Sequence, residues 1–269
     1  MIRKLLAIDL DGTAVGDNGK IGSLTKQALA EARQEGHIVC FVTGRRDIDM
    51  LPLGQDYRCA DYLILNNGGK ITSTFDGEVL ENDLVDKEDT RRLIAYCLQK
   101  DYSLHVFSGM YWAINKMTPA TLEYSKELGI IPEYYRGVDE VLCERIEGFT
   151  TNSEGKDIGA FIDVAGMNLT YIDSQPTYID IMKKGISKWR GVQSLADKLN
   201  IPVANTVAVG NYSNDIDMLV NAGVGVAVQN ALPSVKAAAD YVTLKDNNHD
   251  PVAEIVEKFI LSRENLTVG

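Results

Sequence analysis

Lys4-Leu5-Leu6-Ala7-Ile8-Asp9-Leu10-Asp11-Gly12-Thr13 is a compact apolar run that ends in acids. Such a run suits a strand buried on both faces. Beyond it, residues 24–35 carry apolar side chains at helical spacing, with Ser23 placed to cap the helix and Gly36 to stop it. Residues 37–43 (HIVCFVT) read as a second strand and 62–66 as another. Strands and helices alternating at this spacing predict right-handed crossovers and a parallel sheet. The alternation returns later: a helix over 188–199, a strand over 206–209, a helix near 215–221 stopped by Gly223, a strand over 224–228 and a last helix over 251–261.

The middle of the chain has a different rhythm. Phe75-Asp76-Gly77-Glu78 reads as a hairpin turn, since Asp-Gly favours the twisted two-residue connection. Helices are expected over 88–100 and 119–128, the second with Thr118 as cap and Pro119 in its first turn. Strands 103–107 and 111–115 pair as a hairpin, and 158–164, 169–173 and 178–182 read as further strands. Adjacent strands of this kind mean an α+β module. The expected fold is α/β: a Rossmann-like parallel sheet core with helices on both faces, split by an inserted α+β domain. The boundaries fall at 1–82 and 185–269 for the core and 83–184 for the insertion.

Composition sets the remaining bounds. At 269 residues, 45% apolar and 24% charged, the chain can bury a core without disulfide or metal staples, and it lacks the bias of a disordered or coiled-coil protein. No apolar run approaches the roughly 20 residues that span a bilayer. Met1-Ile2-Arg3-Lys4-Leu5-Leu6 leads into an acidic strand without a small-residue cleavage site, unlike a signal peptide. Cys40, Cys59, Cys97 and Cys143 show no CxxC spacing, so reduced thiols and a cytoplasmic location are expected. A net charge of −11 argues against nucleic acid as a partner, because such binding needs a basic surface.

Asp9 and Asp11 stand at the carboxyl end of the first strand, where open parallel sheets bind ligands. Strand alternation places both on one face. Two like charges so close repel unless neutralised, and a hard divalent cation such as Mg2+ does this with oxygen ligands alone. Gly12 lets the chain leave the strand sharply, and Thr13 can donate to a carboxylate. Taken by itself, D-x-D-G is equally a polar strand end that caps a turn.

Later segments of the chain give this strand end its meaning. Asp9-Leu10-Asp11-Gly12-Thr13 resembles the first motif of the haloacid dehalogenase-like superfamily of phosphohydrolases. Val42-Thr43-Gly44-Arg45 resembles the second motif, and Gly185-Ile186-Ser187-Lys188 the third. The stretch from Gly210-Asn211 through Asn214-Asp215 to Leu219 resembles the fourth, the metal loop. Asn67-Gly68 and Gly225-Val226-Ala227-Val228, with the stretch 231–238, resemble the Cof-type sugar-phosphate phosphatase group, whose α+β cap lies between the second and third motifs.

The resemblance implies a role for each residue. Asp9 would attack phosphorus and become an aspartyl phosphate, and Asp11 would protonate the leaving oxygen and then take a proton from water. Lys188 would bridge nucleophile and phosphoryl group. Leu10, Thr43, Gly44 and Asn214 would hold the phosphoryl oxygens, while Asp9, Asp11, Asn211 and Asp215 would hold Mg2+, Asp215 alternatively ordering the loop. Asn211 departs from the family's usual aspartate, keeping an oxygen donor without its charge. The cap would close over the site and supply leaving-group contacts, with Asn67 on the core and His105, Tyr134, Tyr135 and Arg136 on the cap as candidates that serve equally as ordinary packing. Arg45 and Asp217 are expected on the surface.

The implied activity is that of a Mg2+-dependent phosphatase of small phosphorylated metabolites, sugar phosphates or cofactor phosphates. A phosphomutase is the alternative in the same chemistry, although Lys116, Lys126, Arg136 and Arg145 form no evident second phosphate pocket. A phosphate-binding protein on a decayed scaffold has only Asn211 in its favour.

Overall fold

Leu5–Asp9 forms strand β1, with all five residues buried. It lies between two parallel partners, β2 (Ile38–Val42) and β12 (Thr206–Gly210), in the registers Leu5↔Ile38 and Leu5↔Thr206. Both partners are also buried throughout, as expected of strands covered on two faces. The computed structural model describes residues 2–143, 145–152, 157–173 and 178–261. It divides the chain into a first unit of 1–44, 53–80 and 187–269 and a second of 45–52 and 81–186. The joins expected from sequence, 82/83 and 184/185, lie within two residues of these, but 45–52 was expected in the core.

The first unit contains the sheet β14 (Tyr241–Val242), β13 (Val224–Ala227), β12, β1, β2, β3 (Tyr62–Leu65), β4 (Lys70–Ser73) and β5 (Val79–Asn82), in that spatial order; β5 runs across the join at 80/81. Pairings from β14 to β3 are parallel, and β4 returns antiparallel to β3. Strand order runs outward in opposite directions from β1 and β12, so their carboxyl ends flank the crevice where such sheets bind ligands. Helices α1 (Ser23–Gln34) and α5 (Lys188–Lys198) both rest on β2; α1 packs with α8 (Pro251–Ile255), α5 with α6 (Ile216–Asn221), and α6 in turn with α7 (Pro233–Ala238).

Ser23 does not cap α1. Gly22 holds the cap position with no side-chain bond, and Asp250 Oδ1 accepts from Thr25 N at 3.0 Å in its place. A Cβ on Gly22 would stand 2.0 Å from that carboxylate oxygen, so an aspartate 225 positions beyond Thr25 does the work expected of a local serine. The last helix also differs: α8 ends at Ile255, and Val256–Ile260 continues as a π-helical turn.

The second unit is a sheet in the order β10 (Leu169–Asp173), β11 (Tyr178–Lys183), β9 (Gly148–Asn152), β6 (Leu104–Ser108), β7 (Tyr111–Ile114), β8 (Glu133–Tyr134). All pairings are antiparallel except β7 with β8. Alternation splits its two faces. Leu104, Val106, Phe149 and Ile181 join Leu93, Ile94 and Cys97 of α2 (Lys87–Lys100) in one core. Phe107, Trp112 and Ile114 face the other way and pack on Ile48. That second face also carries Thr150 and Asp180, which bind Arg46: Arg46 donates to Asp180 Oδ1 at 2.5 Å and to Thr150 Oγ1. Its guanidinium lies 4.0 Å from the Phe107 ring centre.

Thr118 caps α3 (Pro119–Leu128) as expected, its Oγ1 accepting from Thr121 N at 3.1 Å. Residues 158–164, expected as a strand, form helix α4 (Ile158–Val164). Its buried residues Ile158 and Ile162 lie one turn apart with Gly159 beside them, and a short apolar run does not distinguish strand from helix by periodicity. All four cysteines are free thiols. Among the described residues, no helix is long and apolar enough to cross a membrane.

Candidate active site

Asp9 ends β1 opposite Val42 of β2. Leu10 O then accepts from Thr13 N at 3.2 Å and Val15 N at 2.8 Å, which curls the chain back. Gly12 sits at φ 73°, which favours glycine, and a Cβ there would stand 2.4 Å from Asn211 Nδ2 and displace that amide. The strand stops at Asp9, so Asp11 lies beyond it in a single bridge to Val15 and is exposed, whereas Asp9 is buried. The shared strand face expected of the two acids is therefore not how they are related.

Lys188 is the first residue of α5. Ser187 caps that helix, accepting from Arg190 N at 3.2 Å and donating to Asp217 Oδ2 at 2.7 Å. An ammonium in a first turn opposes the helix dipole. Two carboxylates offset the penalty: Lys188 Nζ donates to Asp9 Oδ1 at 2.7 Å and to Asp215 Oδ1 at 2.5 Å. All three side chains are buried, so the pairing is what makes their burial tolerable. Burial alone would lower the lysine, but the two acids outweigh it and hold Lys188 charged, above the ordinary range. Burial and then the neighbouring Asp215 push Asp9 up to about 7, against the downward pull of Lys188.

Asp215 spends its other oxygen on the loop after β12. Oδ2 accepts from Asn211 N at 2.8 Å and Tyr212 N at 2.9 Å. The residue thus orders the loop and the lysine together, which is one of its two expected roles.

Three buried oxygens here make no hydrogen bond among the described residues: Asp9 Oδ2, Thr13 Oγ1 and Asn211 Oδ1. Thr13 lies near enough to favour the charged form of Asp9, yet the two do not meet in hydrogen-bond geometry. Buried acceptors are seldom left so. A carboxylate oxygen and an amide oxygen are the hard donors a divalent cation takes, so Asp9 and Asn211 fit such an ion. Among the described residues, no three His, Cys, Asp or Glu side chains converge as a metal cluster.

Thr43 follows β2, its N donating to Ile64 O and its O accepting from Asn67 N, each at 2.9 Å. Gly44 comes next, and a Cβ on it would press on the Asn67 carboxamide at 3.1 Å. Asn214 Nδ2 donates to Asn67 Oδ1 at 3.0 Å. Asp9, Thr43, Lys188, Asn211, Asn214 and Asp215 therefore come from the carboxyl ends of β1, β2 and β12 and the start of α5, all within the first unit.

The family described as haloacid dehalogenase-like hydrolase matches residues 6–256. The chain belongs to that family. This hydrolase is 27% identical over 275 residues to phosphatase YwpJ of Bacillus subtilis (strain 168), covering 91% of this chain and 96% of that protein. It is 28% identical over 265 residues to 5-amino-6-(5-phospho-D-ribitylamino)uracil phosphatase YcsE of the same organism, covering 96% of each. Among solved structures, the HAD subclass IIB sugar phosphatase BT4131 matches with a TM-score of 0.79 at 25% identity, over 95% of this chain and 98% of that one.

The residues considered on the hydrolase's inserted domain separate clearly. Tyr135 is buried, its hydroxyl donating to Leu104 O at 3.0 Å, and is part of the domain's own core. Tyr134 and Arg136 are exposed. His105 is buried with Nε2 3.0 Å from Thr121 Oγ1, and burial followed by Arg46 pushes it down to about 4. The Asn67–Asn214 pair and the packing of Gly68 on Ser187 O are not foreseen from sequence, although the run Asn66-Asn67-Gly68 signals a left-handed turn.

Proposed function

We propose that this hydrolase is a Mg2+-dependent phosphatase of small phosphorylated metabolites, sugar phosphates or cofactor phosphates, working through an aspartyl phosphate on Asp9. The carrying observation is the buried trio of Asp9, Lys188 and Asp215, with one oxygen on Asp9 and one on Asn211 that have no hydrogen-bond partner among the described residues. Family membership and the phosphatase relatives support the reading.

The Asp9 carboxylate attacks phosphorus; an oxygen–phosphorus bond forms as the bond to the leaving oxygen breaks. Asp11, exposed where the chain leaves β1, gives a proton to that leaving oxygen. It then takes a proton from the water that attacks phosphorus, which releases phosphate and regenerates Asp9. Lys188 holds Asp9 in place from Oδ1 and opposes the negative charge that gathers on the phosphoryl oxygens. Main chain at Leu10 and Gly44, the Thr43 hydroxyl and the Asn214 amide bind those oxygens. Asp9 and Asn211, each with an oxygen that has no hydrogen-bond partner among the described residues, are the proposed cation ligands that the geometry supports, and Asp11 and Asp215 are the further ligands that the family resemblance implies. When bound, the cation supplies positive charge beside Asp9 and the phosphoryl group, which favours the ionised nucleophile.

Phosphate release from p-nitrophenyl phosphate, with Mg2+ and after chelation, tests the proposal together with Asp9→Asn. An amide does not open a phosphoester at a useful rate, so Asp9→Asn should lose several orders of magnitude. Near wild-type turnover by Asp9→Asn would sink the mechanism.

A further inference from the structure

Asn66, Asn67 and Gly68 turn the chain after β3 with φ of 53°, 55° and 105°. Asparagine enters the left-handed region more readily than most residues, yet two in succession form a conformation that the surroundings must impose. They do so on three sides. Asn67 N donates to Thr43 O at 2.9 Å. At Gly68 a Cβ would stand 2.0 Å from Ser187 O, so the turn lies directly on the cap of the helix that carries Lys188. The Asn67 side chain is only 5% exposed, and its Oδ1 accepts from Asn214 Nδ2 at 3.0 Å.

We propose that Asn67 is a positioning residue: its carboxamide oxygen fixes the sense of the Asn214 amide, so that Asn214 offers N–H and not oxygen to the phosphoryl group. This rests on the reading of Asn214 as a phosphate-binding residue. The two ends of a carboxamide have nearly the same shape, so packing alone chooses poorly between them, but they are opposite to an anion. Turned one way Asn214 donates; turned the other it sets oxygen against oxygen. Asn67 Oδ1 accepts only from the nitrogen end. It engages one N–H of Asn214 and leaves the second N–H of the same nitrogen to donate. The strained turn is the means by which a buried acceptor is delivered to that point from the end of β3.

Asn67→Gly isolates this effect, because glycine takes the same φ freely and keeps the main-chain bond to Thr43. The measurements are kcat and KM for p-nitrophenyl phosphate at saturating Mg2+, the inhibition constant of inorganic phosphate, and thermal melting. They are made on wild type, Asn67→Gly, Asn214→Ala and the double variant. Loss of ground-state and transition-state binding alike raises KM and leaves kcat. Asn67→Gly should therefore raise KM and the phosphate inhibition constant about fivefold or more, with kcat within about twofold and a cooperative melting transition retained. In the Asn214→Ala background, Asn67→Gly should add nothing. Multiplying effects in the double variant would mean that Asn67 touches the ligand itself, which overturns the proposal. So would a wild-type KM in Asn67→Gly beside an impaired Asn214→Ala. A wild-type Asn214→Ala would remove both this proposal and the role of Asn214, while Asp9→Asn still reports separately on the phosphatase reading.

Discussion

Lys188 Nζ lies 2.5 Å from Asp215 Oδ1 and 2.7 Å from Asp9 Oδ1, one buried ammonium held between two buried carboxylates. Lys188→Met leaves both acids buried with no cation. Breaking a buried pair in this way costs about 3–5 kcal/mol. We expect a stability loss of that order in denaturant unfolding at neutral pH, together with at least about a hundredfold loss of turnover. Asp9 sets the sign of the pH dependence: Lys188 pulls its raised folded pKa down, so with the lysine gone that value rises further, protonation favours the fold and the deficit should shrink as pH falls. A deficit that grows toward acid pH would contradict the arrangement.

Asn211→Asp places charge on an oxygen that has no hydrogen-bond partner among the described residues. A unit charge pair at about 4 Å and an effective dielectric near 20 is worth roughly 4 kcal/mol, before desolvation is subtracted. Calorimetric titration of the protein with Mg2+, without substrate, should show tighter binding in the variant. An unchanged affinity would place Asn211 away from the ion.

Gly12 and Gly19 share φ 73°, but a Cβ on Gly12 would stand 2.4 Å from Asn211 Nδ2, and one on Gly19 meets nothing within 4 Å. Alanine at Gly19 should cost only the left-handed penalty, about 1–2 kcal/mol. Alanine at Gly12 should cost more and also push Asn211 aside. Thermal melting should rank the two variants in that order, and Mg2+ affinity should fall in Gly12→Ala alone. Equal effects would show that Asn211 yields without consequence.

His105 gives the second unit an acid-sensitive element. Burial, with Arg46 adding to it and Asp180 opposing, holds its pKa down at about 4 from an ordinary 6.5. A depressed histidine favours the fold while neutral, so its contribution is complete above about 6.5 and declines as pH falls toward 4. By pH 5 the loss is about 2 kcal/mol. Melting followed from about pH 7 to about pH 4.5 should show this slope, and His105→Gln, which can still bond Thr121 Oγ1, should flatten it. An equal slope in the variant would assign the sensitivity to other groups.

The core was legible because its signals are local. An apolar run ending in Asp9 and Asp11 and helices stopped by glycine can each be read within a short stretch of chain. The inserted domain was harder. Ile158–Val164 is too short for periodicity to separate helix from strand, and its helical state depends on packing with Ile158 and Ile162 inward. Arg46 and Asp180 are 134 residues apart, and no local pattern announces their pairing. The same holds for Asn67 and Asn214, 147 residues apart, whose contact exists only because a left-handed turn delivers one to the other. Motif resemblance named Asn214 and Asp215 but not the hydrogen bonds that orient them.

The assignment of Arg45–Pro52 to the second unit has a consequence for modularity. The chain crosses between units at 44/45, 52/53, 80/81 and 186/187, so the inserted domain is not a cassette with one entry and one exit. Joining residue 82 to residue 185 would remove Asp180, Thr150, Phe107 and Trp112 but leave Arg46 and Ile48 behind, stripped of every one of those neighbours. A graft of a relative's insertion would likewise meet a host segment built for a different sheet. Exchange between such proteins should therefore succeed only when Arg45–Pro52 travels with the domain it belongs to, which makes this stretch, interrupted in sequence but continuous in packing, part of the inherited unit.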